Sequence, residues 1–194
     1  MTGSDKQEPG SGMVMAVAGL SVAVATTLVD QASKWAITSM LAPGQVMSLG
    51  PFLQLQHRQN PSGAFGLFAS LPAGLRLPVL LALGLVAVVA VVSLSIRWLS
   101  PSRPLAVCLG LVLGGALSNL TDRVAQGHVV DFIAVHAGNH YWPTFNLADA
   151  AITVGSFLLL WLTISGRRRE QQRATAGAAT IRFQKSDDDN SARN

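Results

Sequence analysis

Leu77 to Ile96 runs without one charged side chain, and no other feature limits the possible folds of this chain as sharply. About 20 apolar residues are what a helix needs to cross roughly 30 Å of hydrocarbon. The run ends in Arg97-Trp98, an interfacial pair. Three more apolar runs carry the same reading: Gly12 to Val29, Leu105 to Leu120 and Ala148 to Ile164, the last two near the short limit for a span. Of 194 residues, 49% are hydrophobic and only 12% charged, whereas soluble domains carry about 25% charged residues. The expected fold is an all-α integral membrane protein with four transmembrane helices.

The first run has some marks of a secretory signal peptide, with Lys6 ahead of it and Ala23-Val24-Ala25 resembling a cleavage site. That tripeptide lies inside the run, however, and Asp5 and Glu8 spoil a positive leader, so a retained helix is the expectation. Orientation follows from Lys and Arg near the span ends. Arg97 and Arg103 bracket the loop between spans two and three, and Arg167-Arg168-Arg169 follows span four, against Lys34, Arg58, Arg76 and Arg123 on the other side. Both termini are then cytoplasmic, and the loops Ala36 to Ala73 and Thr121 to Asn146 face outward. Residues 1–11 and the basic segment 166–194 read as disordered cytoplasmic tails around a transmembrane domain at 12–165. The Arg triplet is suited to anionic lipid headgroups.

Within the first outer loop, Phe52-Leu53-Gln54-Leu55-Gln56-His57 alternates apolar and polar residues between turn signals at Pro51 and Asn60-Pro61-Ser62-Gly63. This predicts a small extracytoplasmic β element. Gly110 and Gly114 give span three the small-xxx-small spacing of a close helix seam. The lone cysteine, Cys108, lies in the same span and has no intrachain disulfide partner.

The polar residues concentrate where the chain enters and leaves the membrane. Asn119-Leu-Thr-Asp122-Arg123, Val129-Val-Asp131-Phe132 and Phe145-Asn146-Leu-Ala-Asp149-Ala150 fall between the last two spans. Ionisable groups at that depth are costly unless paired or used, so Asp122, Asp131 and Asp149 are candidate functional residues. Two aspartates sharing a poorly hydrated site cannot both ionise easily; one can activate water while the other polarises a scissile carbonyl. Asp131 with Asp149 is the best such pair, and the sequence leaves open which member holds the proton. Asn146 also stands three residues before Asp149, the spacing of an N-cap and its N3 partner, which competes as an explanation of Asp149. Asp30 and Lys34 are spaced as an ordinary helical ion pair, worth about 0.2–0.5 kcal/mol in solvent. His57, His128, His136 and His140 match no zinc spacing, and no serine-nucleophile motif occurs, so neither a metal nor another cofactor is expected.

Taken in order, Asp30-Gln31 with Lys34, Asn60 with Gly63-Ala64-Phe65-Gly66, Gly115-Ala-Leu-Ser118-Asn119-Leu-Thr-Asp122-Arg123 with Gly127-His-Val-Val-Asp131-Phe132, and Phe145-Asn146-Leu-Ala-Asp149-Ala150 resemble the successive signature blocks of bacterial lipoprotein signal peptidase, signal peptidase II. The resemblance implies an inner-membrane aspartic endopeptidase that removes the signal peptide from diacylglyceryl-modified prolipoproteins just before the lipidated cysteine. It implies Asp131 and Asp149 as the catalytic dyad. Asn60, Asn119, Arg123 and Asn146 would position the substrate, and Asp30 and Asp122 would hold the site together, with Lys34, Gly63 and Gly66 among its supporting residues. Partners would be prolipoprotein substrates and membrane lipids, with no nucleic acid, and the protein would act as a monomer. Ser118, where glycine is frequent, and Ala150, where serine is frequent, depart from the pattern. A proton-coupled transporter would also bury aspartates. Here they gather at one interface, and no Gly/Pro-broken pair of spans marks a midplane site. A non-enzymatic assembly protein is the third reading, and an Asp149→Asn exchange separates it from an enzyme.

Overall fold

The structure, a computed structural model, describes residues 11–63, 66–97 and 102–166. Both expected tails up to residue 10 and from residue 167, Trp98, the Arg167-Arg168-Arg169 triplet, and Ala64-Phe65 of the second signature block lie outside the described residues. In chain order the elements are α1 (Ser11–Met40), β1 (Val46–Ser48), β2 (Leu53–Asn60), α2 (Ala73–Arg97), α3 (Arg103–Gln126), β3 (Val129–Ala137) and β4 (His140–Tyr141). A last helix, α4, covers Leu147–Gly166. All four helices are long and apolar enough to cross a membrane, and a helix is the form in which a single segment satisfies its own backbone in hydrocarbon. Their outward faces carry side chains such as Leu20, Leu28, Leu85 and Val89, each about half exposed or more. Surfaces this apolar call for lipid rather than water. The chain is a multi-pass membrane protein.

Two helices run further than their apolar stretches suggested. α1 continues past Val29 through Asp30 and Lys34 to Met40, and α3 continues past Leu120 through Asp122 and Arg123 to Gln126. The connection expected at Thr121 to Asn146 therefore opens after Gln126. These polar extensions stay helical because their side chains bond one another across the α1–α3 interface instead of facing lipid. Gly127 ends α3 at φ 77°, and its N–H reaches the Arg123 carbonyl at 3.1 Å, a left-handed stop that favours glycine.

α3 is the central element. Its Gly110 and Gly114 lie directly beneath the carbonyls of Gly19 and Ala23 in α1, leaving no room for a Cβ. Gly115 makes the same approach to the Ala148 carbonyl of α4, and Gly155 of α4 approaches the Cys108 carbonyl. The expected Gly110/Gly114 seam is thus present, and its next residue turns to a second partner. Close backbone approach replaces hydrophobic driving force between helices in lipid. Thr27 Oγ1 strengthens the first seam by donating to the Gly114 carbonyl at 3.0 Å.

The strands form one antiparallel series, β1-β2-β3-β4. The predicted hexamer at Phe52–His57 is observed as β2, shifted to Leu53–Asn60, while its partner β3 arises where only a loop was expected. Val129-Val130-Asp131-Phe132 is buried throughout, so it lacks the period-two alternation that identifies a half-buried strand. Pairing runs from Leu53↔Val135 to Asn60↔Val129, with a register shift between Leu55 and Arg58. It joins the α1–α2 connection to the segment that follows α3 and sets Asp131 one strand away from Asn60. By internal packing the chain divides into two units, Met1–Ser156 and Phe157–Asn194. The first holds every residue of the site below, and the described part of the second is the continuation of α4.

Candidate active site

Three charges meet between α1 and α3. Lys34 Nζ lies 2.6 Å from Asp30 Oδ2, one turn earlier on the same helix, and 2.7 Å from Asp122 Oδ2 on α3. Asp30 and Asp122 are buried, and Lys34 is 4% exposed. The solvent-exposed ion pair suggested by the i,i+4 spacing is therefore corrected to a buried triad, because α3 packs over that face of α1 and adds a second carboxylate. Buried charges persist only when their remaining bonding capacity is met. Asp30 accepts from the Ser118 hydroxyl at 2.7 Å and from the Ala148 N–H at 2.8 Å, and Asp122 accepts from Gln31 Nε2 at 2.7 Å. The triad thus ties α1 and α3 to the first turn of α4.

Beside it lie the two aspartates expected to act together. Asp131, buried on β3, accepts from Asn60 Nδ2 at 2.8 Å on one oxygen and from Asn146 Nδ2 at 2.9 Å on the other. Asp149, half-buried in the first turn of α4, accepts from Asn119 Nδ2 at 2.8 Å. Asn146 links the pair: its amide nitrogen is on Asp131, and its oxygen accepts the Asp149 N–H at 2.8 Å. Burial pushes the Asp131 carboxyl up to about 6. The Asn60 amide opposes that rise, the nearby Asp149 carboxylate adds to it, and the Asn146 amide and Lys34 charge pull it down.

The capping explanation of Asp149 is half realised. Asn146 does cap α4 through the Asp149 N–H, but the Asp149 carboxylate turns to Asn119 instead of returning to the Asn146 backbone as a capping box requires. Asn60 also folds its own turn, accepting the Ser62 N–H at 3.0 Å and donating to the Gly63 carbonyl at 3.2 Å. Gly63 sits at φ 75°, where a Cβ would come 2.9 Å from Leu80 Cδ2 of α2, and Gly66 at φ 67° receives no such crowding. Arg123 Nη1 donates to the Asn119 carbonyl at 3.2 Å, and its buried Nε has no hydrogen-bond partner among the described residues. His57 binds the Leu41 carbonyl through Nδ1 at 2.8 Å, and His136 stacks on Tyr141.

The structure brings together Asp30, Lys34, Asn60, Asn119, Asp122, Asp131, Asn146 and Asp149 in one network, with Arg123 bonded at its edge. Sequence reasoning missed Gln31 and Ser118 as members. Their signal was helical spacing: Ser118 precedes Asp122 by one turn, and Gln31 adjoins Asp30. Ser118, noted as a departure from the usual glycine, is absorbed by a bond to Asp30.

A polytopic bundle that links a buried and a half-buried aspartate at the end of its spans defines the class: a membrane enzyme. The sequence pattern described as Signal peptidase (SPase) II matches residues 22–165. A lipoprotein signal peptidase of Polynucleobacter necessarius subsp. necessarius (strain STIR1) is 39% identical over 142 residues, covering 73% of this chain and 86% of the relative. One of Burkholderia mallei (strain SAVP1) is also 39% identical over 142 residues, covering 73% and 84%. A bacterial membrane enzyme solved by the in meso method at 2.3 Å resolution aligns with a TM-score of 0.68 at 26% identity, over 76% of this chain and 87% of its own. Another, at 1.9 Å, gives 0.65 at 27% identity, over 75% and 91%. The chain belongs to the signal peptidase II family, peptide hydrolases that remove signal peptides from prolipoproteins.

Proposed function

We propose that Asp131 and Asp149 are the catalytic dyad of an endopeptidase that cuts diacylglyceryl-modified prolipoproteins just before the lipidated cysteine. The observation that carries this reading is the Asn146 bridge, which donates to the buried Asp131 carboxylate and accepts the backbone N–H of Asp149 in the first turn of α4. In the proposed reaction one carboxylate is ionised and the other protonated. The ionised member takes a proton from water as the water oxygen bonds to the scissile carbonyl carbon. The protonated member donates to the carbonyl oxygen. When the C–N bond breaks, a proton passes to the leaving amine, and a carboxylic acid and a free amine remain. Preorganised amides at Asn60, Asn119 and Asn146 keep the dyad in place for this exchange. In this reading Arg123, whose buried Nε has no hydrogen-bond partner among the described residues, would meet substrate carbonyls, while Gly63 and Gly66 would shape the turn that carries Asn60.

The same reading places the peptidase domain at residues 12–165 with polar tails on either side, in the bacterial cytoplasmic membrane, with both termini cytoplasmic and the dyad towards the outer face. The substrate's acyl chains remain in lipid while the bond to be cut reaches the carboxylates, and one copy of the chain suffices. The test uses purified protein with a diacylglyceryl-prolipoprotein and its free-thiol counterpart, read by gel shift. Cleavage of the lipidated form alone, lost in Asp131→Asn and in Asp149→Asn with membrane insertion intact, is the expected result. Substantial turnover by either variant overturns the dyad, and equal rates on the two substrates overturn the lipid requirement.

A further inference from the structure

Three side-chain amides touch the two aspartates, and an amide can turn either its oxygen or its NH₂ towards a neighbour, as its bonding partners dictate. Backbone donors orient two of them. Asn60 Oδ1 is held by the Ser62 N–H and Asn146 Oδ1 by the Asp149 N–H, so both nitrogens face Asp131. Asn119 lies inside α3, and among the described residues no backbone N–H bonds its side-chain oxygen. That oxygen accepts instead from Lys34 Nζ at 3.1 Å and, at the longer distance of 3.3 Å, from Asn146 Nδ2. An ammonium has donors only. A flipped Asn119 would set NH₂ against NH₃⁺ and its oxygen against the Asp149 carboxylate. The two buried carboxylates of Asp30 and Asp122 hold the lysine charge at this depth.

We propose that Lys34 is a positioning residue of the peptidase site, its ammonium holding the Asn119 amide in the orientation that donates a hydrogen bond to Asp149. The inference rests on the dyad reading above and gives the buried triad a task beyond joining helices. Where Asn60 and Asn146 rely on a turn and a helix start for their orientation, a residue in mid-helix has no spare backbone donor. A side-chain cation is the substitute. Losing it leaves the Asn119 oxygen only the 3.3 Å contact from Asn146 Nδ2, whose two hydrogens are already shared with Asp131 and the Val130 carbonyl. The amide can then turn its oxygen to Asp149, which favours the protonated carboxyl and withdraws a donor from the ionised one.

Removing Lys34 alone leaves two buried carboxylates without a cation and threatens the fold. Lys34→Met combined with Asp122→Asn keeps the net charge of the cluster, because one positive and one negative charge leave together. Purified double variant and parent are compared on a diacylglyceryl-prolipoprotein from about pH 5 to about pH 9. The expected result is a KM within about twofold of the parent's, a kcat lower by about tenfold near neutral pH, and a pH–rate profile displaced to higher pH by about one unit. An unchanged kcat and profile, or a loss confined to KM, overturns the proposal. Neither touches the dyad reading, which the Asp131→Asn and Asp149→Asn exchanges judge separately. Should the double variant fail to insert, Lys34→Gln with Asp122→Asn keeps a polar side chain beside Asp30 and the same net charge while replacing the donor-only ammonium with an amide that can turn either end to Asn119. The same displacement is expected, and an unchanged profile overturns the proposal.

Discussion

Replacing Asn60 by alanine removes the 2.8 Å hydrogen bond to Asp131 Oδ2 and leaves the other oxygen bonded to Asn146. A hydrogen bond to a charged group contributes roughly 1.5–3 kcal/mol, and water can take up part of it because Asn60 is only half-buried. A net loss near 1.4 kcal/mol corresponds to about one pH unit. The sign is set by the form the bond stabilises: Asn60 donates to the anion, so its loss raises the Asp131 carboxyl from about 6 to roughly 7. Where activity requires ionised Asp131, the rate at about pH 6 should fall about fivefold and the rate at about pH 8 hardly at all. The assay is the initial rate of signal-peptide release by purified protein across that range. An acid limb that stays in place or moves down refutes the electrostatic reasoning. An equal loss at every pH instead assigns Asn60 to the substrate or to the turn it braces through Ser62.

The raised Asp131 carboxyl also makes stability pH-dependent. Its folded value, about 6 against an ordinary 3.8, means that burying the anion costs about 3 kcal/mol above pH 6, a cost relieved as pH falls towards 4. The Tm of the parent relative to non-titrating Asp131→Asn should therefore drop as pH rises through that window, and a constant difference would contradict it. Gly114→Ala should destabilise the bundle by about 1–3 kcal/mol, since its Cβ meets the Ala23 carbonyl and Thr26 and forces α1 from α3; an unchanged Tm in detergent would show that the seam yields. Reporters placed at Ser165 and at Arg103 should be cytoplasmic, and reporters near Ser48 or Gly138 external. An external reporter at Ser165 would put the dyad on the wrong surface for the proposed substrate.

The four spans were legible because lipid demands uninterrupted apolar length, and a run such as Leu77 to Ile96 has no soluble alternative that uses it as well. The Gly110/Gly114 seam was legible too, since small residues at that spacing act through local helix geometry alone. Spacing likewise showed that Asn146 could cap α4. Where α1 and α3 end was not legible: hydropathy falls at Asp30 and Asp122, and only their mutual burial with Lys34 keeps the helices going. The strand at Asp131 escaped notice because a fully buried strand has no alternation to read.

Asp131 and Asp149 were named as a pair from a resemblance between ordered sequence blocks and from the chemistry that carboxylates can do together. Their coupling through Asn146 depends on β3 meeting the start of α4, a contact between segments whose approach no local pattern specifies. Lys34 shows the limit most plainly. Its position one turn after Asp30 is the same for a weak surface pair and for a buried triad. The difference is made by Asp122 and Ser118 arriving from α3, because the strength of a charge interaction depends on how much water the rest of the fold has removed.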